Sequence, residues 1–350
     1  MMDLSVVLIA RNQAWSVSRL IESVLRATSS VSSKEVILID SASVDETVAL
    51  ASVYPINIFR LKPGQRLSPA IGRYVGYKQT QGEYVLFLDG DTELIPEWLP
   101  HALRLMCERP DAGGVTGRVF NLPTAAAAQP PAAPVQKAHV APPKEVLWCN
   151  YAGGGAAMYR RSTLERAGCF NPNLFSDEEP ELGLRIRYAG YRMFELDYPM
   201  AYHYNDAPVA ISSVLSRRKR NFHLGMGQAA RYHLGTKLFW TYLRERWFGT
   251  GAAFLLASCL ATILLSLIVR DVRWFVVWMV GLCLLIARGA LRKRSLRAQL
   301  VSAFNWLIMA EGFFTGIMMK PIPPESFQAN LEVVKVSTLT NYGQRRAESG

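Results

Sequence analysis

Two carboxylates one residue apart, Asp89 and Asp91 with Gly90 between them, close the apolar run Tyr84-Val85-Leu86-Phe87-Leu88. The run reads as a buried strand of a parallel sheet. The pair therefore falls at its C-terminal edge, where open α/β sheets bind their ligands. The two carboxylates cannot both be sheltered in a core there, and together they can hold a hard divalent cation against a diphosphate. The plainer reading of Asp89-Gly90-Asp91-Thr92-Glu93 is a solvated acidic turn, since Asp and Gly are common turn residues. Further along, Gly153-Gly154-Gly155 permits close backbone approach to a ligand, or simply a tight turn.

The elements needed to position these groups are legible as alternating apolar runs and amphipathic stretches. Strands are expected at 4–10, 36–40, 56–61 and 84–88. Helices are expected at 17–26, 45–51 with Ser43 as N-cap, 69–79, 97–107 and 182–189. Continuous apolar strands alternating with helices imply a parallel α/β sheet covered on both faces. Asp40, like Asp89 and Asp91, falls at a strand's C-terminal end. Residues 121–145 are rich in Ala and Pro without amphipathic period. They read as a mobile loop inside the domain, which is expected to cover 1–210.

The chain has 350 residues, 50% of them hydrophobic, and a formal charge of +11 from 39 Lys+Arg against 28 Asp+Glu. That balance suits nucleic acid, anionic lipid or a phosphorylated ligand. No nucleic-acid-binding motif accompanies it, and the cations thicken after residue 215, beside long apolar runs, which favours anionic membrane lipid. From 211 to 248, Arg217, Arg218, Lys219, Arg220, Arg231, Lys237, Arg244 and Arg246 interleave with aromatic residues, the mixture of interfacial helices. Within 249–320, segments 252–269, 274–287 with its flanks and about 300–319 are candidate membrane spans, the second only if extended to 272–291 at the cost of including Arg288. The third contains Asn305 and Glu311, so a re-entrant or amphipathic course is the alternative. Arg288, Arg292, Lys293, Arg294 and Arg297 place the loop after the second segment in the cytoplasm, and the N-terminal domain with it. Residues 321–350 read as a tail. The apolar stretch 4–10 is too short for a signal peptide. The five cysteines, without a C-x-x-C pair, read as free thiols of a reducing compartment.

Residues 4 to about 205 resemble family 2 glycosyltransferases of the GT-A fold, a Rossmann-like nucleotide-sugar-binding domain. LSVVLIARNQ is similar to the family's opening strand and loop, VILIDSASVDET to its second strand and acidic turn, and Asp89-Gly90-Asp91 to its DxD metal motif. Ser41 stands where the family often has a second Asp, and Gly72 and Tyr74 flank Arg73 where it has Ala and Asn. The resemblance implies a donor site of Ala10, Asn12, Asp40, Arg73, Asp89, Gly90 and Asp91, with Asp40 on the nucleotide base and Arg73 near base and diphosphate. It also implies Mg²⁺ or Mn²⁺ held by Asp91, with Asp89 orienting ribose or metal and His203 a further metal or phosphate contact. Gly153, Gly154 and Gly155 fall on the acceptor side. SDEEPELGLRIRYAGYR is similar to the Glu-Asp motif that supplies the catalytic base. The Asp of that motif falls on Glu179, with Glu178 its neighbouring candidate. Read alone, this acidic cluster is a charged helix start favoured by the macrodipole.

Taken with the apolar segments and their flanking cations, the resemblance implies a membrane-anchored, inverting, metal-dependent enzyme at the cytoplasmic face of the inner membrane. It would transfer a sugar from a nucleotide-sugar, UDP-linked by preference, to a lipid-linked glycan or polysaccharide. No Gln-x-x-Arg-Trp motif of processive synthases is present, so one transfer per encounter is expected. The alternatives are an inactive scaffold of the same fold and a nucleotidyltransferase, although the first loop lacks a glycine- and cation-rich pyrophosphate sequence. No G-x-G-x-x-G follows a strand, which argues against a nicotinamide dehydrogenase.

Overall fold

The computed structural model describes residues 3–128, 146–205 and 211–337. Within them, 3–173, 178–205 and 323–337 form one compact unit, and 174–177 with 211–322 form a second.

The first unit opens with β1 (Leu4–Ala10), α1 (Val17–Ala27), β2 (Lys34–Asp40), α2 (Thr47–Ala51), β3 (Asn57–Leu61), α3 (Pro69–Lys78) and β4 (Tyr84–Asp89). Strands β3, β2, β1 and β4 lie side by side and parallel. Every residue of β1 is buried, because helices cover both faces. Leu4, Val6 and Leu8 point to one core with α1, while Val7 and Ile9 point to the other with α3. The short α2 starts two residues later than expected, and Ser43 does not cap it. Ser43 Oγ instead accepts the Asn12 N–H at 2.9 Å, and Asp45 accepts from the Thr47 N–H at 3.1 Å.

The expectation of a purely parallel sheet fails beyond β4. There follow β5 (Thr92–Leu94), α4 (Trp98–Glu108), β6 (Ala112–Leu122), β7 (Val146–Trp148), β8 (Ala156–Arg160), α5 (Arg161–Ala167), α6 (Glu178–Tyr188) and β9 (Arg192–Tyr204). β8 is antiparallel to both β4 and β6, β6 is parallel to β9, and β5 and β7 pair β9 antiparallel. Asn121 and Leu122, assigned above to a loop, end β6, and residues 124–128 form a 3-10 turn. The rest of the expected loop, 129–145, lies outside the described residues. Residues 321–350, expected as a tail, instead return a strand to the sheet. β10 (Leu331–Lys335) pairs antiparallel with β3, pairing Leu331 with Leu61 and Val333 with Phe59. The outer edge of β3 is thereby covered, and Lys335 Nζ donates to the Tyr54 carbonyl at 2.7 Å.

Glu35 in β2 is 1% exposed, with Oε1 accepting from Ser5 Oγ at 2.5 Å and from the Gln81 N–H at 2.7 Å. Burial, opposed by those bonds, holds its pKa above 4.5. The folded chain thus binds this proton more tightly than the unfolded chain. The group's contribution to stability is full at low pH and is lost as pH rises through its folded pKa. Glu35→Gln keeps the acceptor and removes the buried charge. Thermal melts of the full chain in detergent should show a higher midpoint than wild type at about pH 8, and a smaller pH slope.

The second unit contains α7 (Ile211–Lys219), a 3-10 turn at 222–224, α8 (Gly225–Tyr232), α9 (Lys237–Glu245), α10 (Trp247–Val269), α11 (Arg273–Lys293) and α12 (Leu296–Met318). The last three are long and apolar enough to cross a membrane. The third is one continuous helix, including Asn305 and Glu311. The Glu311 carboxylate meets His223 Nε2 at 3.3 Å and Arg218 at 3.5 Å, so its charge is partnered. α12 lies against the 222–232 segment backbone to backbone. A Cβ on Gly227 would meet Gly316 Cα at 2.9 Å, and one on Gly312 would meet the His223 ring at 2.7 Å.

Candidate functional site

The first unit builds its site where β1, β2 and β4 end. α3 starts with Ser68, whose Oγ accepts the Ile71 N–H at 3.3 Å, and with Pro69 in its first turn. Gly72 and Gly76 let the helix lie close on the sheet. A Cβ on Gly72 would sit 3.0 Å from Ile9, and one on Gly76 would overlap Val7. That close approach carries Arg73 into the interior, where it is 3% exposed and lies over the Phe170 ring.

Three carboxylates converge on Arg73. Its guanidinium donates to Asp89 Oδ1 at 2.7 Å and to Glu178 Oε1, and Glu179 Oε1 lies 3.4 Å away. Arg73 was expected at the donor's diphosphate. Its charge is shared among these carboxylates, and among the described residues no other Lys or Arg pairs with them. Burial would lower the Arg73 pKa, but Asp89, Glu179 and Glu178 together raise it. Burial pushes Asp89 up to about 6, against the pull of Arg73 and with the push of Asp91. Burial likewise lifts Glu179 to about 8, with Arg73 opposing and Glu178 and Asp89 adding to the rise. Glu178, the other candidate base, lies closer to the Arg73 guanidinium than Glu179 does.

Gly155 closes this cluster. Its N–H faces Glu179 Oε1 at 3.3 Å and its carbonyl accepts the Asp89 N–H at 2.9 Å. It has φ +72, and a Cβ there would lie 2.5 Å from Asp89 Cγ, so only glycine fits. Gly154 faces Val119 and Gly153 faces the Tyr151 ring, so only the last of the three glycines touches the carboxylates.

Asp91 points to a different partner. Its Oδ1 lies 3.3 Å from His203 Nε2, and His203 Nδ1 is 2.9 Å from Asn121 Oδ1. The hydrogen bond to Asp91 raises the His203 pKa, with burial opposing it. Strand pairing fixes this contact, since Thr92 on β5 sits opposite His203 on β9. Among the described residues no three His, Cys, Asp or Glu side chains gather into a closed metal cage. One carboxylate and one imidazole, with Asp89 two residues away, fit a cation whose remaining positions come from phosphate and water.

The second group lines the opening loop. Asp40 is fully buried, and its Oδ2 accepts the Ser43 N–H at 3.0 Å and meets Arg60 Nε at 3.4 Å. Its Oδ1 is buried with no hydrogen-bond partner among the described residues. Asn12, with φ 55, accepts the Val44 N–H at 2.9 Å, while the Ala10 carbonyl accepts the Ser41 N–H at 2.8 Å. Gly90 joins the two groups. A Cβ there would meet Ala10 Cα at 3.2 Å and Gln13 at 2.8 Å, and its carbonyl accepts from Ser16 Oγ at 2.7 Å. Sequence reasoning missed Arg60 and Asn121. Arg60 is an ordinary strand cation until the sheet sets it beside Asp40. Asn121 lies in a stretch that reads as loop.

Residues 5–168 match the family described as Glycosyl transferase family 2, and this region is a family 2 glycosyltransferase domain. The succinoglycan biosynthesis protein ExoO of Rhizobium meliloti (strain 1021) is 36% identical over 121 residues, covering 34% of this chain and 33% of that protein. The curated relatives share only a part of their own length with this chain, from 18% to 36%. Among solved structures, S. aureus TarS 1-349 in complex with UDP-GlcNAc aligns with TM-score 0.53 at 17% identity, covering 84% of this chain and 93% of that one. The mannosyltransferase PcManGT from Pyrobaculum calidifontis, in complex with GDP-Man and Mn2+, aligns with TM-score 0.56 at 16% identity, covering 90% and 87%. The fold is that of the GT-A glycosyltransferases.

Proposed function

We propose that the chain is a membrane-anchored, inverting glycosyltransferase. It moves one sugar from a nucleotide-sugar donor, UDP-linked by preference, to a hydroxyl of a lipid-linked glycan or polysaccharide at the cytoplasmic face of a membrane. The observation that carries this reading is the gathering of Asp89, Glu178 and Glu179 on buried Arg73, closed by Gly155, with Asp91 and His203 paired at the same strand end. The bound UDP-GlcNAc and GDP-Man of the two structural neighbours support a nucleotide-sugar as donor.

The residues divide the work. The buried, unpartnered Asp40 Oδ1 suits an N–H of the nucleobase. Gly90 and Gly155 let Gln13 and Asp89 pack against the backbone where a side chain would otherwise stand. Asp91 and His203 would hold Mg²⁺ or Mn²⁺, with Asp89 beside them, and the bound cation neutralises charge on the departing diphosphate. Glu179 takes the proton of the acceptor hydroxyl as that oxygen bonds to the anomeric carbon. The bond from that carbon to the phosphate oxygen breaks on the opposite side, and the nucleoside diphosphate leaves. Because Glu179 sits near 8, it must shed its resting proton first. Arg73 is a positioning residue that keeps the three carboxylates together.

The three apolar helices and the cations at 288–297 support the anchoring. Arg288, Arg292, Lys293, Arg294 and Arg297, around the turn between α11 and α12, support a cytoplasmic position for that turn. Exposed Trp240 and Trp247, at 73% and 70%, suit headgroup depth.

The test is a donor screen with the full chain in detergent, with and without Mn²⁺, reading released nucleoside diphosphate. Metal-dependent release from one donor is expected. Asp91→Asn should lower it by about 10²–10³-fold, the range for removing one transition-state charge stabiliser. Release from no donor would favour the inactive scaffold, and pyrophosphate release from a nucleoside triphosphate would favour a nucleotidyltransferase. Gly155→Ala pushes a methyl into Asp89. It should cost about 10²-fold in the same assay, as for a misplacement of about 1 Å.

A further inference from the structure

The second unit holds a cavity of about 130 Å³ lined by the charged or ionisable side chains Asp177, Arg217, Arg218, His223 and Arg246, with Ser176 and Asn305 beside them. Its charges do not balance internally. Asp177 is given to Arg246 and to the Tyr242 hydroxyl. Glu311, outside the lining, takes Arg218 and His223 Nε2. Arg217 has no ion pair or side-chain hydrogen bond among the described residues, so three guanidinium groups and an imidazole face one lining carboxylate. The His223 side chain is 8% exposed, and its Nδ1 is buried without a hydrogen-bond partner among the described residues. A buried ring nitrogen left unmade costs about 1–3 kcal/mol, which a ligand would relieve.

We propose that this cavity binds the phosphate group of a membrane amphiphile. The site is basic, which selects an anion. At about 130 Å³ it is smaller than pockets for drug-sized ligands, roughly 300 Å³ and above, so it takes a headgroup and not a nucleotide-sugar. Its remaining wall includes Ile308 and Met309 of α12, one of the three membrane-length helices, so an anion lodged here has an apolar surface beside it for its chain. Planar guanidinium groups suit phosphate oxygens. With Nε2 turned to Glu311, His223 Nδ1 donates to the anion when the ring carries both protons, a form the anion itself favours. The inference rests on α10–α12 lying in a membrane and is independent of which sugar is transferred.

The test is native mass spectrometry of the full chain in a non-ionic detergent. Three probes are titrated separately: a long-chain prenyl diphosphate, phosphatidylglycerol and inorganic phosphate. Wild type should retain at least one of the two lipids. Arg217→Ala, at an exposed side chain whose removal leaves the packing intact, and His223→Leu should each weaken that adduct about tenfold or more. Arg231→Ala, a cation outside the cavity, should leave it unchanged. Retention of the prenyl diphosphate alone identifies an acceptor-type lipid, and retention of both lipids a general phospholipid headgroup. Lipid adducts equal in Arg217→Ala, His223→Leu and wild type, or inorganic phosphate held as tightly as either lipid, would overturn the proposal. The donor screen is read separately. Specific lipid adducts without sugar release would sink the transferase reading alone, and release with unselective adducts would sink the cavity alone.

Discussion

In Glu179→Gln, transfer should fall by about 10²–10⁴-fold, the usual contribution of a positioned general base. Gln keeps the shape and the acceptor oxygen that faces the Gly155 N–H at 3.3 Å, but it cannot take a proton. Nucleotide binding should therefore survive while turnover collapses. The pH profile gives a sharper readout. Burial raises the Glu179 pKa to about 8, against Arg73 and with Glu178. A base must be ionised to act, so kcat/KM of the wild type should rise with pH and level off above that value. Residual activity of the Gln variant should lack this limb. A wild-type profile that is flat across that range would argue against Glu179 as the base.

Arg73→Met should be the most damaging change to the first unit's stability. The side chain is 4% exposed and is the cation shared by Asp89, Glu178 and Glu179. Met fills similar space over Phe170 but leaves three carboxylates crowded together without compensation. Removing one partner from a buried ionic cluster costs about 3–5 kcal/mol. The carboxylates can lessen that cost by taking up protons, so the variant should be least stable at high pH and recover as pH falls. This sign follows from the raised values of Asp89 and Glu179, which rise further without the cation. Denaturant titration at two pH values checks it. Equal loss at both would mean that Arg73 acts through packing alone.

The parallel half of the sheet was legible because β1, β2 and β4 are unbroken apolar runs ended by turn residues or carboxylates. The mixed half was not. β6 opens Ala112-Gly113-Gly114-Val115, and glycine inside a strand ordinarily signals a turn. Its glycines answer neighbours instead. A Cβ on Gly114 would meet Tyr159 and Met193 at 2.8 Å, and one on Gly117 would meet Trp98 Nε1 at 2.6 Å. β9 contains Pro199, and its register against β6 shifts there. β10 is five residues long with two charges, and only the free edge of β3 gives it a reason to be a strand.

The site was legible in the same uneven way. Asp89, Asp91 and Asp40 are marked by their places at strand ends, and Gly155 by its run of three. What the sequence could not convey is who pairs with whom. Arg73 reads as a donor contact, and its pairing with Asp89, Glu178 and Glu179 emerges only once α3 lies close on the sheet and buries it. His203 reads as a lone histidine until β9 sets it across from Thr92, one residue from Asp91. Glu311 reads as a flaw in an apolar segment until Arg218 and His223 are seen to take its charge.

The account depends most on the strand end at Asp89 and Asp91 being where a sugar donor and its cation sit. A structure of the full chain soaked with nucleoside diphosphate and Mn²⁺, with anomalous data collected for manganese, tests this directly. The account predicts a manganese peak beside the Asp91 carboxylate, lost in Asp91→Asn, with the nucleobase against Asp40. Nucleotide bound elsewhere, or manganese whose peak is unmoved by that substitution, would contradict it.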